Sequence, residues 1–290
     1  MKSLFCFGMG YSATALAEKI VSLNWSIAGT CRNQDKHEEL LKRGIQAYIF
    51  DGSTASFGLE ILSNITHLLT SVPPSEKGDP VLRHYRKYIT QMPNLVWVGY
   101  LSTTAVYGNR SGDWVDEESE RRPTSNRGHR RAEAEDAWLE LWDKNDVPVH
   151  VFRLAGIYGP NRNQLLAIQR HTARRIDKPG QVFSRIHIDD IVEVLFASML
   201  QPAPGTTYNV CDDEPTSPTE VTEYACNLLD VTPPPLLPIE SAELSPMARS
   251  FYNDNKRVRN DRIKKRLGVN LRYPNYRAGL DALHKHQDTS

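Results

Sequence analysis

Gly8, Gly10 and Ala13 fall in the pattern GxGxxA between an apolar run, LFCF, and an amphipathic one, SATALAEKIVSL. The first glycine permits a tight turn, the second lets the backbone approach a pyrophosphate, and the small third residue lets helix pack on strand. With Tyr11 and Ser12 inside the same turn, these residues form a candidate dinucleotide cradle. The alternatives are an ordinary glycine turn or a cradle for another nucleotide. The second strand ends in AGTCRN, where an NAD site usually carries an acid for the ribose 2′-hydroxyl. Arg32 and Asn33 stand there instead, and a guanidinium suits a 2′-phosphate, so NADP is favoured over NAD. The competing reading makes Arg32 an exposed loop cation.

A second chemical feature is RGHRRAEAE, in which Arg127 and Arg131 sit four apart where polar loop gives way to helix. Two guanidiniums one turn apart repel unless an anion lies between them or one faces solvent. Neither exchanges a proton near neutral pH, because arginine stays charged. His129 has the right titration range but lies on a different side of the helix. His187, Asp189 and Asp190 read as a strand end and helix N-cap before IVEVLFASM rather than as a metal site, and no metal is expected.

Positioning these groups requires a scaffold, and short apolar runs alternate with longer amphipathic ones from the first residue: LFCF, SATALAEKIVSL, WSIAGTC, QDKHEELLKRG, IQAYIF. Strand–helix alternation of this kind predicts an α/β fold with a doubly wound parallel sheet. Gly44 follows LLKR as a helix stop. Polar residues GNRSGDWVDEESERRPTSN form a long loop expected to border a site. We read 1–156 as the dinucleotide-binding domain and 157–290 as mainly a smaller C-terminal substrate-side lobe, with some segments returning to the core and VTPPPLLP a stiff loop inside it.

The 290 residues carry 35 basic and 35 acidic side chains, so the net charge gives no bias toward nucleic acid or an anionic membrane. The run NKRVRNDRIKKRLG is read as a docked surface helix burying Val258, Ile263 and Leu267, not as a nucleic-acid site. Four cysteines without CxxC spacing point to a reducing, cytoplasmic setting, and no run of 18 apolar residues predicts a membrane span. The glycine-broken start does not read as a secretion signal. Basic residues between Arg162 and Arg185 could line a pocket for an anionic substrate, although a solvated face is the stronger reading for most of them.

LSTTAVYG (101–108), FRLAGIYGP (152–160), RIHIDD (185–190) and YNVCDDEP (208–215), in that order, make the chain resemble the extended short-chain dehydrogenase/reductase family of NAD(P)-dependent epimerases, dehydratases and reductases. The resemblance implies a Rossmann fold and roles for particular residues. Asp51 matches the acid that meets the adenine, Ser71, Val72 and Pro73 run beside the cofactor, and Thr103 hydrogen-bonds the reacting oxygen. The helix pattern YxxxKAEAE aligns with RGHRRAEAE, so Arg127 stands at the catalytic tyrosine position and Arg131 at the lysine position. Phe7 stands where the family's TGxxGxxG has a glycine, and Gly156 and Phe183 replace an asparagine and an arginine common in nucleotide-sugar enzymes; Arg185 could act from a shifted position.

The implied function is an atypical NADP-binding oxidoreductase or epimerase acting on a small polar, sugar-like carbonyl or hydroxyl compound. In it Thr103 meets the substrate oxygen, Arg131 the ribose, and Arg127 the oxygen or a substrate anion. The competing reading is a catalytically silent NADP sensor. The resemblance also implies a homodimer through helices flanking the fourth and fifth strands.

Overall fold

A computed structural model of the chain describes residues 2–287. The chain divides into two compact units, one formed by 1–103, 126–153 and 192–208 and the other by 104–125, 154–191 and 209–290.

The first unit alternates as the sequence predicts: β1 (Ser3–Phe7), α1 (Tyr11–Val21), β2 (Ser26–Cys31), α2 (Gln34–Lys42), β3 (Gln46–Ile49), α3 (Leu59–Leu62), β4 (His67–Thr70), α4 (Pro80–Ile89), β5 (Trp97–Thr103) and, after the loop, α5 (Asn126–Asn145). The sheet has seven strands, ordered Thr207–Val210, Val149–Leu154, β5, β4, β1, β2, β3. All four pairings from β5 to β3 are parallel. This is the doubly wound α/β sheet expected from the alternation. Gly44 takes φ +73°, the left-handed stop expected after α2.

Helix faces follow the apolar spacing. Ala13, Leu16, Ala17 and Ile20 form the buried stripe of α1. Asp79 caps α4 by accepting from Val81 N–H at 2.8 Å and Leu82 N–H at 3.0 Å, with Pro80 in the first turn. Val81, Leu82, Tyr85 and Ile89 then meet an aromatic core. Phe7 belongs to that core: it is fully buried, and its ring lies 4.9 Å from Tyr85 and 5.0 Å from Phe5. The departure from a glycine at this position is thus accommodated by packing, since Phe7 is the last residue of β1 and its side chain leaves the turn free.

In the second unit, Tyr158, Leu165, Val221, Ala225, Tyr276, Leu280 and Leu283 make a separate core. Gly156–Tyr158 pairs in parallel with Arg185–His187. Two pairings lie in segments expected to be loop. Leu236–Pro238 of the proline-rich stretch forms a strand beside Arg175–Asp177, and Trp114–Val115 pairs with Arg257–Val258. The long polar loop is therefore strapped: Arg110 N–H and Gly112 N–H both donate to the Asn255 carbonyl, at 2.9 and 3.0 Å. The basic run buries Val258, Ile263 and Leu267 as expected, but it is helical only over Asp261–Leu267: Val258 lies in the strand paired with Trp114–Val115 rather than on the helix. Among the described residues no helix is long and apolar enough to cross a membrane.

Buried histidines make the first unit sensitive to acid. His150 is fully buried, with Nδ1 3.2 Å from the Val98 carbonyl and Nε2 accepting from Ala203 N–H at 2.9 Å. A second proton would remove that acceptor, and burial lowers the group to about 4 from its ordinary 6.5. The unfolded chain takes up the proton first as pH falls, so this contribution is complete above about 6.5 and is lost on descending toward 4. Urea unfolding at pH 7, 6 and 5 should show stability declining, and His150→Gln should flatten the decline.

Candidate functional site

The C-terminal ends of five adjacent parallel strands carry the candidate residues: the glycine turn after β1, Arg32 after β2, Asp51 after β3, Ser71 after β4 and Thr103 closing β5. In open α/β sheets this is the edge where ligands bind.

The turn is held from both neighbouring strands. Gly8 N–H donates to Thr30 Oγ1 at 2.8 Å and Met9 N–H to the Thr30 carbonyl at 2.7 Å. From the other side Ser71 N–H donates to the Phe7 carbonyl at 2.9 Å, and Ser71 Oγ to the Gly8 carbonyl at 2.7 Å. Gly8 has φ +87°, and a Cβ there would lie 2.9 Å from Ser71 Oγ. Gly10 differs: φ is −87°, it occupies the N-cap of α1 with no side chain to cap the helix, and the nearest atom to an added Cβ is 4.0 Å away. The helix N-terminus therefore opens onto space beside Gly10, and Tyr11, Ser12 and Ala13 begin a helix whose positive end faces it. Ser12 and Ala13 are buried against the sheet while Tyr11 is half-buried. This arrangement fits a pyrophosphate.

Thr30 and Gly29 are parts of the cradle that sequence reasoning missed. A Cβ on Gly29 would stand 2.7 Å from the Cys6 carbonyl and 2.8 Å from Met9 Sδ, so the glycine makes room for the residue between the two turn glycines. Its signal was the small residue inside a strand.

Arg32 is exposed just past β2. Asn33 caps α2, its Oδ1 accepting from Lys36 N–H at 3.0 Å. Asp51 is exposed and accepts from Ser53 N–H at 2.8 Å and Ser53 Oγ at 2.6 Å, bonds that hold its carboxyl below the ordinary value. Ser71 and Val72 are half-buried and Pro73 is exposed.

The two arginines of α5 have different surroundings. Arg127 is exposed in the first turn. Arg131 is only 7% exposed: its Nη1 donates to the Leu101 carbonyl at 2.6 Å and to Tyr100 Oη at 3.1 Å, and its guanidinium carbon lies 5.6 Å from the centroid of the Tyr100 ring. Its Nε is buried with no partner, and Nη2 makes no hydrogen bond to the described residues. The guanidinium thus keeps a buried donor without a protein partner among the described residues.

Around them lies a buried polar framework. Glu135, fully buried one turn after Arg131, binds Arg153 through Nη2 at 2.8 Å and Nε at 3.2 Å, and accepts from Ser102 Oγ. Trp138 Nε1 donates to Asp79 Oδ2 at 3.1 Å. Burial raises the Asp79 carboxyl, opposed by its hydrogen bonds and by the charge of Arg131. Helix α5 thereby grips three consecutive residues of β5, namely Tyr100, Leu101 and Ser102, directly before Thr103. Thr103 itself is half-buried.

The second unit holds other residues of the quoted motifs. Tyr107 is fully buried and its hydroxyl donates to Asn209 Oδ1 at 2.7 Å, a packing role. His187 caps the following helix, its Nδ1 accepting from Asp189 N–H at 3.2 Å. Arg185 Nη1 donates to the carbonyls of Phe183 and Thr216 at 2.8 and 3.0 Å.

Removing Glu135 would leave Arg153 buried without its countercharge. Glu135→Ala should cost about 3–5 kcal/mol of stability, measured by chemical denaturation, while Glu133→Ala on the exposed face should be nearly silent.

No protein family model matches the chain, and no curated protein does. Among solved structures, a functionally unknown conserved protein from Silicibacter pomeroyi DSS is 48% identical, with TM-score 0.91 over 99% of this chain and 100% of that one. The dTDP-glucose 4,6-dehydratase from Bacillus anthracis str. Ames in complex with NAD is 14% identical, with TM-score 0.76 over 100% of this chain and 97% of that one. UDP-glucuronic acid 4-epimerase from Bacillus cereus in complex with NAD is 15% identical, with TM-score 0.76 over 100% and 99%. The latter two likenesses establish the fold.

Proposed function

Because the chain belongs to the same family as the functionally unknown conserved protein of Silicibacter pomeroyi DSS, its function has to be read from its own residues, and we propose an NADP-binding oxidoreductase or epimerase-like enzyme without the usual tyrosine and lysine. Its substrate is a small polar, sugar-like carbonyl or hydroxyl compound, anionic where it meets Arg127. What supports this reading is the glycine turn: a rigid backbone cradle, clamped by Thr30 and Ser71, at the strand edge shared with Arg32, Asp51 and Thr103. Structures of the same fold hold NAD, which makes NAD the competing cofactor.

Gly8, Gly10, Tyr11, Ser12 and Ala13 hold the pyrophosphate, Arg32 the 2′-phosphate, Asp51 the adenine, and Ser71, Val72 and Pro73 line the cofactor's path. Asn33 shapes the Arg32 side by capping α2. Arg131, with Nη1 engaged on β5, offers its remaining donors to the ribose. A bound nicotinamide dinucleotide supplies hydride exchange. Thr103 hydrogen-bonds the reacting oxygen, and Arg127 stabilises negative charge that develops on it. Neither arginine supplies a proton, so the proton comes from solvent or from the substrate. The enzyme acts in the cytoplasm, as a homodimer.

The commitment of Arg131 Nη1 to backbone favours a second reading, a silent NADP sensor, in which both arginines serve cofactor binding alone.

Titration with NADPH, NADP, NADH and NAD tests both readings. NADPH should bind at least about tenfold tighter than NADH, since one charge-assisted pair contributes about 1.5–3 kcal/mol. Arg32→Ala should remove that preference and leave NADH affinity unchanged. Gly10→Val should abolish binding without unfolding the protein. Failure to bind any nicotinamide dinucleotide overturns both readings, and tight binding without turnover on a panel of sugars, ketones and aldehydes selects the sensor.

A further inference from the structure

In the second unit, the strand Arg185–His187 begins with a guanidinium that is clamped on one edge only. Arg185 Nη1 donates to the carbonyls of Phe183 and Thr216, at 2.8 and 3.0 Å. Neither carbonyl depends on it. Across the Phe183–Thr216 bridge each already accepts the other residue's N–H, at 3.1 and 3.0 Å. Nε and Nη2 donate to none of the described residues, and the side chain is half-buried rather than sealed. These two groups form the side of the fork on which two N–H bonds run parallel. Nη1 fixes the fork, and that side stays open.

The same guanidinium lacks a countercharge. Burial lowers it from its ordinary value, and among the described residues no carboxylate forms an ion pair with it. Asp212 is the acid whose charge it feels first. Yet Asp212 is 1% exposed, its Oδ1 accepts only from Glu214 N–H at 3.3 Å, and its Oδ2 has no partner. Burial raises this carboxyl well above the ordinary value and so favours the uncharged acid. A deep-set cation without a partner carries a desolvation penalty, and a clamp on two carbonyls that are already satisfied does not account for it.

Space is kept beside it. Gly156 is paired with Arg185 in the neighbouring strand and is exposed. Its φ lies outside the left-handed region, so the backbone does not require glycine there. An added Cβ would stand 3.3 Å from the Ser184 carbonyl oxygen and 3.8 Å from Arg185 Cγ. Glycine inside a strand often marks a place where a ligand approaches closely.

We propose that Arg185 recognises a carboxylate on the substrate, taking its two oxygens on Nε–H and Nη2–H in the space that Gly156 leaves open. The inference rests on the proposed function and narrows its substrate to polar hydroxy acids. A planar carboxylate matches two parallel donors and one positive charge. A phosphate monoester, with about two charges and three acceptor oxygens, would leave one oxygen and part of its charge unmet by a single fork.

Three open-chain polyols that differ at one end test it: D-gluconate, D-glucitol and D-glucitol 6-phosphate, titrated into the full chain without nicotinamide, with ligand NMR signals as the readout. Gluconate should bind at least about tenfold tighter than glucitol, as a charge-assisted pair implies. Arg185→Lys keeps the charge but not the fork, and should remove that preference. Gly156→Val leaves Arg185 in place and fills the space beside it; it should weaken gluconate binding at least about tenfold with the thermal midpoint retained, which guards against misfolding of the Arg185 variant. Equal binding of gluconate and glucitol overturns the proposal. So does a gluconate preference that survives in folded Arg185→Lys or Gly156→Val, and so does tighter binding of the phosphate that persists in Arg185→Lys. A gluconate preference lost in both variants, in a chain that binds no nicotinamide dinucleotide, would uphold the carboxylate site and overturn the enzyme reading alone.

Discussion

The buried pair between Glu135 and Arg153 is the interaction on which the geometry of the first unit's site depends. Two charges withdrawn from water carry a desolvation penalty that excellent geometry must offset, and here the carboxylate meets two guanidinium nitrogens and a serine hydroxyl. Because Ser102 is the penultimate residue of β5 and Glu135 lies mid-helix in α5, the pair fixes helix and strand in one register. Arg131 repeats the linkage one turn earlier through the Leu101 carbonyl. Thr103 thus ends a strand whose three preceding residues are all bonded to the same helix, so its hydroxyl is positioned by a rigid element rather than by the following loop.

That construction bears on the two arginines that the resemblance aligns with a tyrosine and a lysine. A lysine at 131 would bring a point charge on a flexible stem, able to reach a ribose and little else. Arginine brings a planar fork whose one end can be spent on the protein while the other remains available. In this chain Nη1 takes the backbone, stacking near Tyr100 adds contact, and Nε and Nη2 are left over. An arginine at 131 therefore ties helix to strand through Nη1 while its Nε has no protein partner among the described residues.

Much of this was legible in the sequence because it depends on local rules. GxGxxA fixed the turn and its helix, strand–helix alternation fixed the sheet, and Gly44 fixed the end of α2. Other features depend on partners distant in the chain. Thr30 looks like any strand threonine until β1 is laid beside it, and Asn33 reads as a cofactor contact until α2 needs a cap. Proline-rich VTPPPLLP reads as loop, yet a short edge strand tolerates proline when the missing N–H is not on the paired side, so Leu236–Pro238 pairs with Arg175–Asp177. The burial of Arg131 and Glu135 was hidden for a similar reason. Charged residues at helical spacing suggest a wet face, and only Arg153, eighteen residues beyond Glu135, makes a dry one tolerable.

The difference between the two arginines then follows from where the helix begins rather than from which way it faces. Arg127 lies four residues before Arg131 and seven before Ala134, both buried, so by helical periodicity it projects from the same side of α5. It is exposed because it belongs to the first turn, whereas the residues that cover Arg131 belong to β5, from Tyr100 to Leu101. Position along the helix, not the face, therefore separates the two side chains: Arg131 lies where β5 still runs alongside and is tied to it through Nη1, while Arg127, one turn earlier, stays at the surface.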